Sequence, residues 1–179
     1  DDLTLLAVLN SPIMWWHNWR FLPHLKDEAL SPMGYLVEKL PIPEFSAADT
    51  QAVVRRSVDI RKRTQRVRER ELAFADWLSL TFDFDRLPTS LDHLSAKSEK
   101  DAITAILAAF PKRAELGAAD LTLIRKEFKE MIAPAHQDWI AIQSLERELS
   151  DLVNAAYGLN SEDVNLMWRT APPRMTFYP

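Results

Sequence analysis

The chain has 179 residues, 47% of them apolar and 27% charged, with three glycines, eleven prolines and no cysteine. That length supports one domain with a sizeable core, or a domain plus an extended element. The composition excludes disulfides and thiolate metal sites, argues against an all-β fold built on tight hairpins, and leaves no apolar run near the ~20 residues of a membrane span. No membrane partner is expected, and the missing cysteines point to a reducing, cytoplasmic setting. The net charge of −4 hides an uneven layout: residues 55–70, RRSVDIRKRTQRVRER, hold eight Lys/Arg against two Asp/Glu. Such a segment expects a polyanionic partner or an acidic surface of its own chain.

In chain order, LTLLAVLN predicts a short apolar helix. It carries no basic n-region of a signal peptide. The absence of Met at position 1 is expected of a segment of something longer. Ser11 as N-cap and Pro12 in the first turn open a second helix, which runs to Leu22 and stops at Pro23. At ~100° per residue, Trp15, Trp16, Trp19 and Leu22 share one face. Ile13, Met14 and Phe21 interleave with His17, Asn18 and Arg20 on the other, so the helix expects burial on both sides.

GYLVEKLPIPEF alternates as a short strand or extended segment, and its LPIP part is held polyproline-like. Ser46 to Asp49 is a capping signal that opens a long helix over 47–82. Val53, Ile60, Val67 and Phe74 stand seven apart, with Thr64, Leu78 and Phe82 nearby, as the seam of a long antiparallel or coiled pairing. DFDRLPTSLDHLSAK is a connector. A second box, Ser98 to Asp101, opens a helix ending near Pro111. Gly117 reads as a helix stop and 118–132 as a helix that Pro134 breaks or kinks. The next helix spans 135–157, with Trp139, Ile142, Leu145, Leu149, Leu152 and Ala156 in steps of three and four. Gly158 is its C-cap. Asn160 or Ser161 caps a last short helix, and APPRM is extended. The expected fold is mainly α: a helical bundle with a long antiparallel helix pair and at most one or two short strands. Residues 1–45 form Trp-rich helices plus the extended LPIP segment, and 46–179 a helical domain.

Within the basic segment Arg55, Arg56, Lys62, Arg63, Arg66 and Arg70 fall in an arc of about 120°, interrupted by Asp59. The stripe is about 22 Å long at ~1.5 Å per residue, and a duplex strand presents a phosphate every ~3.4 Å. Arginine suits bidentate phosphate contact. The same arc equally fits Glu127, Glu130, Glu146, Glu148 and Asp151 of a neighbouring helix. The tryptophans can stack on an unpaired base, though core packing is the commoner role. His17, His24, His93 and His136 lack metal spacing. Asp83 and Asp85 read as turn residues rather than cation ligands. Arg174, beside Pro172 and Pro173, is a candidate tail anchor that hydrogen-bonds backbone carbonyls.

Three stretches taken together, LNSPIMWWHNWRFLPH, YLVEKLPIP and NAAYGLNSEDVNLMWRTAPPRM, resemble the C-terminal region of large bacterial N6-adenine DNA methyltransferases of the fused restriction–modification or phage-defence type. The resemblance runs from Leu9 to Met175 and leaves 80–135 unmatched. It implies a helical, target-recognition-associated region whose partners are double-stranded DNA and the catalytic domain of the same polypeptide. In the parent enzyme, S-adenosylmethionine would supply the methyl group. This segment is expected to be non-catalytic and to hold no cofactor. It lacks an (N/D)PP(Y/F) motif, its one Pro-Pro lying between Ala171 and Arg174, and Gly34, Gly117 and Gly158 belong to no cofactor loop. Trp15, Trp16, Trp19 and Leu22 would then pack between the helical tail and the rest of the enzyme. The alternative is a helical interaction module that docks subunits through the 47–82 and 135–157 seams.

Overall fold

The computed structural model describes residues 2–26, 29–110 and 116–176. Among them are seven α-helices: α1 (Asp2–Leu9), α2 (Pro12–Phe21), α3 (Gly34–Val37), α4 (Ala47–Phe82), α5 (Glu99–Ala109), α6 (Ala118–Ala156) and α7 (Ser161–Arg169). Short 3-10 turns at Thr89–Leu91 and Leu94–Ala96 bridge α4 to α5. The fold is mainly α, with an isolated bridge between His24 and Leu30 as the β pairing seen among the described residues.

Capping chemistry sets most helix ends. The Ser11 hydroxyl donates to the Val8 carbonyl at 2.7 Å and accepts from the Met14 amide at 3.3 Å, closing α1 and opening α2. Ser46 and Ser98 each accept from the amide three residues on, at 3.1 Å. Asn160 and Asp163 form a full capping box at the start of α7. Gly158 has φ +69°. Its amide reaches the Ala155 carbonyl, and the Leu159 amide reaches that of Asn154, giving α6 a Schellman end.

Four expectations need correction. The GYLV part of the presumed strand is helix α3, with Tyr35 and Val37 exposed; among the described residues no strand pairs with it, and residues 40–46 are neither helix nor strand. Pro134 neither breaks nor ends a helix: 118–132 and 135–157 are one 39-residue α6. An internal proline costs about 3 kcal/mol, and burial offsets it, since Ile132 and Ala135 on either side are fully enclosed. Gly117 starts α6 rather than stopping a helix, its amide donating to the Asp120 carboxylate at 2.8 Å. Thr64 is exposed, not part of the α4 seam, and the buried positions of α6 include Ile132, Ala135, Ile142 and Val153, while Trp139, Leu145, Leu149 and Leu152 are half-buried. The helix expected to end near Pro111 ends at Ala109, and Pro111 itself lies outside the described residues.

The chain divides into two compact units, residues 1–59 with 144–179, and residues 60–143. In the first, Val8, Met14 and Val153 form the core, flanked by Ile13, Leu40, Phe45 and Tyr157. In the second, Phe74, Leu78, Leu94, Ala102, Ile106, Ile124, Phe128 and Ile132 cluster. Each large side chain so buried contributes about 1.5–3 kcal/mol relative to exposure. A smaller cluster joins Val67 to Ala135 and Ile142. Phe74 meets Phe128 edge-on at 6.3 Å. Contacts thus climb α4 as they descend α6, which makes the two helices antiparallel.

Candidate functional site

In the first unit the tryptophan helix meets the C-terminal tail. Trp15 Nε1 donates to the Pro173 carbonyl at 3.0 Å, and Trp16 Nε1 to the Thr170 hydroxyl at 2.9 Å. The Arg20 guanidinium lies 3.8 Å from the centroid of the Trp16 ring and donates to the Thr170 carbonyl at 2.8 Å and to the Trp16 carbonyl at 3.0 Å. Trp19 packs on Trp15 and, edge-on, on His24. Leu22 is buried, whereas the three tryptophans are half-buried. Each indole therefore has a polar or ring partner of its own. The LPIP segment joins the same unit: the Tyr157 hydroxyl donates to the Pro41 carbonyl at 2.5 Å, and burial pushes that phenol above its ordinary range.

Arg20, not Arg174, is the tail anchor. Arg174 sits exposed at φ +62° in the turn closed by the Met175 amide and the Pro172 carbonyl, and its side chain makes no hydrogen bond among the described residues. Arg20 was legible only as a polar interruption of an apolar helix. Its position one turn beyond Trp16 was the available signal.

The structure divides the basic segment by direction. Arg56, in the first unit, pairs with Glu148 at 2.7 Å. In the second unit Arg63 and Arg66 converge on Asp138, at 2.9 and 2.6 Å. Arg66 holds both carboxylate oxygens in a fork, the geometry guanidinium favours. Asp138 is 9% exposed. The hydrogen bond from Arg66 is the main cause that lowers its carboxyl below the ordinary value, with burial opposing and both guanidinium charges assisting. Of the expected carboxylate partners, Glu148 is used. Glu127 and Glu130 lie beside Lys126 instead. Glu146 is raised by burial. Asp138 lay outside the expected set of carboxylates.

Arg70 is half-buried, whereas Arg55 and Lys62 are exposed. Arg61 and Arg68, outside the expected arc, are exposed as well. Comparison of the chain with family models, curated proteins and solved structures gives no match.

Among the described residues no group of three His, Asp or Glu converges in a way that would hold a metal ion, and no helix is long and apolar enough to cross a membrane. Asp83 takes φ +53° in the turn that follows α4. His136 is bound through Nδ1 to the Ser95 carbonyl at 2.7 Å and stacks on Trp139. His17 stacks on Phe21.

Proposed function

We propose that this chain is the C-terminal, non-catalytic region of a large N6-adenine DNA methyltransferase, one that supports target recognition by docking on the remainder of the enzyme and by touching the DNA backbone. The observation that carries the reading is convergence. The 9–24 and 35–43 stretches that resemble such enzymes are remote in sequence from the 154–175 stretch, yet Trp15 and Trp16 bond the 170–173 tail and Tyr157 bonds Pro41 within one compact unit. That these motifs meet in space supports reading them together as one structural feature.

The docking part rests on exposed apolar side chains. Leu5, Leu6, Phe21, Leu25, Tyr35 and Val37 are each between 44% and 64% exposed. Exposed apolar groups gathered in one segment mark an interaction surface. Any S-adenosylmethionine would be held upstream, by residues outside this chain.

A second reading, a helical interaction module without DNA contact, is favoured by the ion pairs of Arg56, Arg63 and Arg66, which turn three of the six expected phosphate ligands inward. The reading frame ahead of Asp1 separates the two. The methyltransferase proposal expects an (N/D)PP(Y/F) motif preceded by a glycine-containing loop within a few hundred codons. A frame that carries an unrelated domain there would remove it and leave the interaction module.

A further inference from the structure

We propose that the exposed cations Arg61, Lys62 and Arg68 of α4, and not the ion-paired Arg56, Arg63 and Arg66, are where this chain meets the phosphates of duplex DNA. The inference rests on the DNA-engaging reading above; it keeps Lys62 of the expected arc and moves the other contacts to Arg61 and Arg68, which lie outside that arc. Arg63 and Arg66 share a buried carboxylate. Releasing them to a phosphate would leave Asp138 charged and unpaired inside the second unit, a cost of several kcal/mol before any contact is made. Arg61, Lys62 and Arg68 face no such cost. All three are exposed, and no carboxylate lies within ion-pair distance of any of them among the described residues.

Their placement fits a backbone. Arg61 and Arg68 stand seven residues apart, two turns and about 10 Å along the helix, which spans about three phosphate steps of one strand. Lys62 follows Arg61 directly. Gln65 lies between the two arginines, exposed, with its amide hydrogen-bonded to Glu69 at 2.8 Å. Residues 61–68 include no carboxylate; Glu69 and Glu71 follow in the next turn, Glu71 accepting from the Ser95 amide and hydroxyl at 3.0 and 2.6 Å. That Gln65 amide is also a donor of the kind that commonly joins arginine at phosphates. The contacts expected here position the chain and read no sequence.

The test is a fluorescence anisotropy titration of the 179-residue chain with a labelled duplex from 50 to 250 mM salt. The wild type is expected to bind with a steep salt dependence. The variant R61Q/K62Q/R68Q should keep its melting temperature and lose about 2.7 units from the slope of log affinity against log salt, at ~0.9 per phosphate contact. The companion R56Q/R63Q/R66Q should keep the slope at a temperature where it is folded, while melting earlier. A wild-type slope in the first variant overturns this assignment and leaves the DNA-engaging reading standing. No binding by the wild type at the lowest salt removes DNA contact from that reading, and this assignment with it.

Discussion

Asp138 is the residue on which the second unit's polar interior turns. Replacing it by Ala leaves Arg63 and Arg66 facing a half-buried gap. Both guanidinium groups regain some water, so the expected loss is about 1–2 kcal/mol, read as a lower midpoint in urea unfolding. Its depressed carboxyl also sets a pH signature. A carboxyl held below its ordinary value of about 3.9 contributes stability that is fully present above that value and is lost as pH falls through the folded one. The acid limb of wild-type unfolding, below about pH 4, should therefore be steeper than that of Asp138→Asn. Glu146 is the opposite case. Burial raises it, so the folded state favours its protonated form. The penalty grows as pH rises from about 4.3 to the folded value and stays in full above it. Glu146→Gln should be more stable than wild type at pH 7, and the gain should vanish near pH 4. Equal stability at both pH values would contradict the burial account. Neither behaviour was legible in the sequence, because a carboxylate's direction depends on which helix lies across from it.

At the scale of the element, terminal chemistry was legible and register was not. Ser11, Ser46, Ser98, Asn160 and Gly158 all sit where their side chains or backbone freedom place helix ends. Those signals act within four residues, so the sequence carries them whole. Pro134 misled because its local preference for ending a helix was outweighed by the burial of Ile132 and Ala135. The α3 segment misled because alternation alone does not supply a partner strand. Gly158→Ala tests the capping account. Space is open around the added methyl group, so its cost comes from the positive φ alone, about 1 kcal/mol. Gly34→Ala, also in open space but at the start of a helix, should be neutral or slightly stabilising. A Gly158→Ala protein with an unchanged melting temperature would argue against the left-handed cap.

At the scale of the molecule, the sequence carried the helical class and the antiparallel pairing of α4 with α6, because seven-residue spacing survives any choice of register. The division of the arginines into paired and exposed groups needed three dimensions. The proposed role makes two demands. Calorimetric titration of this chain with S-adenosylmethionine should show no binding at micromolar concentration; a micromolar dissociation constant would mean that a cofactor site lies within it. The central claim concerns the intact reading frame. The most direct measurement is a genome-wide map of N6-methyladenine in cells that carry the complete frame, set beside cells whose frame stops just ahead of Asp1. The account predicts methylation at one fixed sequence with the complete frame, and its loss or dispersal on truncation. Methylation that is identical in the two, or absent from both, would contradict it.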